Sequence, residues 1–206
     1  MISSLHSRRH AQGFHNVAGE ANYSDYKNEK FEDAYLTPKG EAQCAALNSS
    51  CIESAVGITS ELLVVSPMRR TLSTAMCSFP GFVQKIPWLA HETLRETAGV
   101  HPCDRRRPIS EHAESYPNVD FSLIDENEDP LYYLQEGRES DESVTERAHS
   151  FFIWLASRKE KEIIVVTHSA FLKTVFKYVL EIDAENEEEN YGCFKNCEMK
   201  SYLLYF

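Results

Sequence analysis

The chain has no excess of positive charge, no long apolar run and no cysteine framework. Its 206 residues hold 21 Lys and Arg against 32 Asp and Glu, a formal charge of −11. A nucleic-acid surface needs basic charge to neutralise phosphates, so this balance argues against nucleic acid as a partner. A pocket for one small phosphorylated ligand needs only a few arginines and is not excluded. No apolar stretch approaches the ~20 residues that span a bilayer, and the opening MISSLHSRRH lacks the apolar centre of a signal peptide. No membrane partner is expected, and the expected location is cytoplasmic. The six cysteines are too sparse for a disulfide scaffold. Cys193 and Cys197 have the spacing of half a zinc site, but no second Cys or His pair completes four ligands. Reduced thiols, no metal and no cofactor are expected. There are no repeats and no long Gly, Ser or Pro linker, and the length suits one domain over 1–206. Oligomeric state is not legible.

The chain does hold alternating strand and helix signals. LTPKGEAQCAALNSSCIES, residues 36–54, opens as a helix, with Thr37 as cap and Pro38 at the first position. ELLVVS (61–66) is a short apolar run that ends at Ser66-Pro67, and MRRTLSTAMCSF after it reads as a helix. EIIVVTHS (162–169) is a second apolar, β-branched run, followed by the helical period of AFLKTVFKYVLEI. SVTERAHSFFIWLAS before it reads as a helix with Ser143 and Glu146 as a capping box. MKSYLLYF reads as a last strand. MISSLHS is a poor strand on paper, with His6 and Ser7 where apolar residues belong.

Doubly buried strands alternating with helices predict an α/β fold: a three-layer α/β/α sandwich with a mostly parallel central sheet. In such folds ligands sit beyond the carboxyl ends of the strands. Arg69, Arg70 and His168 fall just after such ends, as do Arg9 and His10 if MISSLHS is a strand. Residues 97–142 mix proline, charge and aromatics without a period. They read as an insertion that covers the strand ends and shapes a pocket.

Eight of the eleven arginines fall in three clusters: 8 and 9, 69 and 70, and 95 with 105 to 107. Guanidinium forks match phosphate oxygens. Pairing with the abundant carboxylates is the structural alternative. A neutral imidazole is a competent nucleophile toward phosphorus, and nearby guanidiniums keep it neutral and spread the transition-state charge. A carboxylic acid is still needed to protonate the leaving oxygen, and Glu96 in LRET is placed to supply it.

These residues carry a resemblance. Arg9-His10 in RRHAQGFHN, SPMRRTLSTA at 66–75, LRE at 94–96 and VTHS at 166–169 resemble, in order, the four signature segments of the histidine phosphatase, or phosphoglycerate mutase-like, superfamily. RHAQGFHNVAGE and GVHPCDRRRPIS are similar to a eukaryotic phosphoglycerate mutase-like branch. The resemblance implies that His10 becomes phosphohistidine. It implies that Arg9 and Arg70, rather than Arg69, bind the phosphoryl group. Glu96 would be the proton donor, His168 the second pocket histidine and Asn16 a phosphate contact. The amide of Ser169, at a helix start, could add to the anion site.

Ala11 stands where the family usually has glycine, and its methyl could crowd the backbone approach. Arg95 before Glu96 departs from the mutases, so the resemblance favours a phosphatase. The expected activity is metal-independent hydrolysis of a small phosphorylated substrate, such as a sugar phosphate or phosphorylated acid. A mutase and a phospholigand-binding protein without turnover are the alternatives. Arg105 and Arg106 are candidates for a second anionic group of the substrate, or else pair with Asp104 and the acidic stretch 125–129. His15 and His101 read as packing or pocket-edge residues. Tyr132 and Tyr133 close the pocket or pack beneath the insertion, and 181–190 reads as a solvated acidic loop.

Overall fold

Two apolar runs, LLVV and EIIVVT, are buried along nearly their whole length, which requires cover on both faces. The computed structural model describes residues 2–53, 59–82, 84–131, 137–181 and 192–206. Its sheet is built from β1 (Ile2–Arg9), β2 (Leu62–Val65), β3 (Trp88–Ala90), β4 (Glu162–Thr167) and β5 (Met199–Tyr205), in the order β3-β2-β4-β1-β5. The first four are parallel, and β5 closes one edge antiparallel to β1. The helices are α1 (Phe14–Ala21), α2 (Pro38–Glu53), α3 (Arg69–Ser78), α4 (Ile109–Ser115), α5 (Asp141–Ala156) and α6 (Ser169–Thr174). No helix among the described residues is long and apolar enough to cross a membrane.

Strand alternation divides the core in two. Leu62, Val64, Ile163 and Val165 face α5 and α6, meeting Val144, Ala148, Phe151, Leu155 and Phe171. Leu63, Val65, Ile164 and Val166 face the other way, toward Leu72 and Ala75 of α3, Phe79 just after it, and Trp88. Each such aliphatic or aromatic side chain, fully buried, contributes about 1.5–3 kcal/mol. The expected sandwich of helices on both faces of a mostly parallel sheet is present.

Three local readings change, and two elements are new. β1 is a full eight-residue strand in the sheet interior, because its polar side chains find matched partners rather than apolar ones. Ser4 donates to Glu162 at 2.7 Å, and His6 sits between Ser201 at 2.7 Å and Glu162 at 3.1 Å. The α5 cap is Ser140, whose Oγ accepts from the Ser143 N–H at 3.2 Å; Ser143 itself donates to Glu139. The helix after β4 runs as α6 for six residues and then becomes a π-turn over Val175–Val179. Finally, β3 and α1 have no clear sequence signal: β3 is three residues long and α1 opens at Gly13 without a side-chain cap. Thr37 caps α2 as expected, its Oγ1 accepting from Gly40 N–H at 3.0 Å. Tyr132, Tyr133 and residues 182–190 of the acidic run lie outside the described residues.

Candidate active site

Register assembles the site. Arg9 of β1 pairs with Thr167 of β4, and Val65 of β2 pairs with Val166. The next backbone bonds, His10 N–H to Thr167 O at 2.9 Å and Ser66 N–H to Val166 O at 3.0 Å, carry the ladder past the strand ends. His10, Ser66 and His168 are thereby placed side by side, and the His10 and His168 rings lie 5.2 Å apart. A cavity of about 390 Å³ opens there, lined by Arg9, His10, His15, Asn16, Tyr23, Tyr26, Arg70, Glu96, His101, Cys103, Asp104, Arg138, Ser169, Ala170 and Lys173.

His10 is 2% exposed. Its Nδ1 lies 2.8 Å from the carbonyl of Ala11. A carbonyl only accepts, so Nδ1 carries the hydrogen and the neutral ring keeps its lone pair on Nε2. Burial first, then the charge of Arg70, proximity to His15 and the charge of Arg9, hold the His10 pKa well below the ordinary imidazole value. A neutral, oriented imidazole beside fixed guanidiniums has the chemistry to attack an electrophilic phosphorus whose anionic oxygens the guanidiniums bind.

Arg70 is fully buried in the first turn of α3. Its Nε donates to His168 Nδ1 at 3.2 Å, one Nη to the Cys103 carbonyl and the other to Asp104 at 3.0 Å. His168 accepts at Nδ1, so its Nε2 donates to Ser66 Oγ at 2.8 Å. His168 is fully buried with both ring nitrogens engaged, behind His10 and not among the residues lining the cavity. It positions Arg70 in this arrangement. Arg9 donates one Nη to the Phe194 carbonyl at 2.9 Å, and its buried Nε has no partner among the described residues. Burial lowers its pKa from the usual arginine value.

Glu96 is held by three backbone N–H groups. Its Oε1 accepts from Thr97 at 3.0 Å and Phe171 at 3.1 Å, and its Oε2 from Ala170 at 3.1 Å. Oε2 is the freer oxygen for proton transfer. Two amides of the α6 start are thus taken by Glu96, while Ser169 lines the cavity. Arg147 of α5 fixes the loop from behind, donating to the carbonyls of Thr93, Arg95 and Glu96. Asn16 lines the cavity and its Oδ1 accepts from Gly13 N–H at 2.9 Å, fixing the α1 start. The Ala11 methyl does not crowd the cavity: it is buried with Leu36, Cys44 and Cys197.

Two expected substrate residues are not brought to this cavity. The Arg106 side chain is buried and donates to Glu92 and to the carbonyls of Arg107, Asn127, Glu126 and Glu128. Arg105 pairs with Glu29 at 3.1 Å and Glu32 at 3.6 Å. Both line a separate hollow of about 450 Å³ with Glu32, Glu111, Glu128 and Asp129, whose carboxylates balance them. Pairing prevails for both: the acidic stretch 125–129 folds over Arg106, while Arg105 pairs with Glu29 and Glu32 from the segment after α1. Asp104 instead joins Arg70 to Arg138, at 3.0 and 2.8 Å. Arg138 and Lys173 are cavity cations that sequence reasoning missed: Arg138 stands far from any signature segment, and Lys173 reads as one position of the helix that follows VTHS. Tyr23, Tyr26 and His101 form an aromatic wall, with Tyr26 stacked on His101 at 5.4 Å. Among the described residues no three His, Cys, Asp or Glu side chains cluster as a metal site.

The imidazoles predict acid sensitivity. Burial, with Arg70 next, lowers the pKa of His15 and His168 as it does that of His10. The native state therefore stays neutral where the unfolded chain binds protons. Stability is complete above about pH 6.5 and falls below it, by about 1.4 kcal/mol per pH unit for each of the three. Urea midpoints measured from pH 7.5 to 5 should fall steeply; a flat profile would remove the buried neutral trio.

Comparisons with known proteins bear on the family and the fold. The family model of the Histidine phosphatase superfamily (branch 1) matches residues 9–202. The chain is 36% identical to "Phosphoglycerate mutase-like protein 2" of Arabidopsis thaliana, over 98% of this chain and 74% of that one. Its fold is similar to that of the ecdysone phosphate phosphatase of Bombix mori, with a TM-score of 0.62, 14% identity and coverage of 97% and 88%. It is also similar to that of a phosphoglycerate mutase of Bacillus anthracis, with a TM-score of 0.60, 15% identity and coverage of 98% and 88%. With the family match spanning nearly the whole chain, the protein belongs to the histidine phosphatase superfamily, branch 1.

Proposed function

We propose that the protein hydrolyses phosphate monoesters through a phosphoryl group carried on His10. The observation that best supports this is the Nε2 lone pair of a buried, neutral His10 in an arginine-lined cavity. In the first step Nε2 attacks phosphorus as the bond to the leaving oxygen breaks, and Glu96 delivers a proton to that oxygen. In the second, water attacks the phosphohistidine, Glu96 takes the proton, and inorganic phosphate leaves. Arg9 and Arg70 bind the phosphoryl oxygens and carry the transition-state charge, the task Mg²⁺ performs in other phosphoryl-transfer sites, so the reaction needs no metal. His168 keeps Arg70 in place. Asn16 and Ser169 complete the binding surface.

The substrate is a small anionic metabolite, such as a sugar phosphate or phosphorylated acid. Arg138 and Lys173, rather than Arg105 and Arg106, stand ready for a second anionic group. Five free cysteines among the described residues suit a reducing compartment, and we assign the cytoplasm. The mutase reading draws on the name of the Arabidopsis relative. Phosphate release from a panel of sugar phosphates, phosphoglycerates and p-nitrophenyl phosphate, with EDTA present, tests the proposal. Turnover insensitive to EDTA is expected. Isomerisation of a phosphoglycerate outpacing phosphate release would make the protein a mutase. Tight vanadate binding without hydrolysis would make it a binding protein.

A further inference from the structure

Arg8 is fully buried one residue before the cavity arginine, yet has no carboxylate partner among the described residues. Its Nε and one Nη are unpartnered; the other Nη donates to Cys197 Sγ, and the guanidinium lies 5.3 Å from the Phe79 ring centre. A permanently charged group buried this way calls for an anion. The ionisable groups at hand are two thiols. Cys197 donates to Cys44 Sγ at 4.0 Å, and both cysteines are buried beside Ala11. The hydrogen bond from Cys197 pulls the Cys44 thiol down to about 6 against its burial, with Ser78, Arg8 and Thr74 assisting. Hydrogen bonding to Cys44 pushes the Cys197 thiol up. Cys44 is therefore the more acidic thiol of the pair beneath the site.

This pair is wired to His10. The Cys197 backbone N–H donates to the His10 carbonyl at 3.1 Å, and the neighbouring Asn196 side chain donates to the same carbonyl at 3.2 Å and to Asn16 Oδ1 at 3.4 Å. Cys197 holds this position with φ of +66°, a strained left-handed conformation for a residue other than glycine.

We propose that Cys44 and Cys197 are a redox-active dithiol that forms a disulfide on exposure to a peroxide and thereby switches off the site at His10. The Cys44 thiolate attacks one peroxide oxygen, the O–O bond breaks, and hydroxide leaves, giving a sulfenic acid. Cys197 then attacks the Cys44 sulfur as the S–O bond breaks. The Cys197 proton and the hydroxyl leave as water. One thiolate and one thiol are oxidised to the disulfide; the peroxide is reduced to water and hydroxide, and the hydroxide takes a proton from solvent to give the second water. Closing the bond draws the sulfurs together by about 2 Å, to the ordinary disulfide length. That movement pulls on the His10 carbonyl through the Cys197 N–H, and displaces the Cys197 sulfur that accepts from Arg8.

The test treats reduced wild-type protein with hydrogen peroxide and follows three readouts: peptide mapping of disulfides, phosphate release and reversal by dithiothreitol. The expected result is a Cys44–Cys197 disulfide, at least tenfold loss of phosphate release and full recovery on reduction. Cys197→Ser should keep basal folding and resist reversible loss. A variant with the exposed Cys77 and Cys193 both changed to serine should respond as wild type does. Folded protein that forms no Cys44–Cys197 disulfide, or forms it with activity intact, overturns the proposal. The mapped disulfide does not depend on turnover, so a protein that proves to be no phosphatase still tests the dithiol. In that case the loss is read as weakened vanadate binding.

Discussion

His10→Ala should abolish phosphate release, lowering kcat by at least about 10⁴-fold, since no nearby group can take over a removed nucleophile. His168 has both ring nitrogens engaged and is walled off behind Arg70 and Ser66. His15 lines the cavity, but its ring centre lies 5.6 Å from that of His10, too far to replace its Nε2 without moving α1. The variant should fold. It should also be less sensitive to acid, because one of the three imidazoles that protonate only on unfolding is gone, worth about 1.4 kcal/mol per pH unit below about pH 6.5. Residual turnover within tenfold of wild type would mean that His10 is not the nucleophile.

Arg70→Met should lower kcat/KM by about 10² to 10⁴-fold, the range for removing one charged transition-state donor from a dry site. The substitution leaves Asp104 paired with Arg138 at 2.8 Å, so it does not strand a buried carboxylate. It does free the Nδ1 of His168. The diagnostic readout is the pH profile. Arg70 is the foremost charge holding the His10 pKa down. Its loss raises that pKa, so His10 protonates at higher pH and the acid limb of kcat/KM moves upward. A purely structural role for Arg70 would lower activity at every pH without moving that limb. Kinetics of both proteins from pH 4.5 to 8 separate the two.

The architecture was legible where burial leaves a periodic trace. β2 and β4 are apolar throughout because helices cover both faces, and a parallel sheet with its chemistry at the strand ends follows from them. β1 was not, since its partners lie far along the chain: Glu162 and Ser201 satisfy Ser4 and His6 in a pairing that no local window contains. Clustering suggested the arginines of the site, and the signature segments separated Arg70 from Arg69, whose guanidinium instead lies 4.2 Å from the Tyr35 ring centre. Clustering did not separate out 105 and 106, where Arg106 is a scaffold for the acidic loop and Arg105 pairs with Glu29 and Glu32. Arg138 carried no signal, because it reaches the cavity through Asp104, a contact set by the fold alone.

The most direct measurement is rapid quenching of wild-type protein with a ³²P-labelled substrate, followed by mapping of the labelled peptide. A phosphoryl group on His10, acid-labile and discharged at the rate of turnover, is the predicted result. Turnover with no label, or with the label on any other residue, would contradict the mechanism.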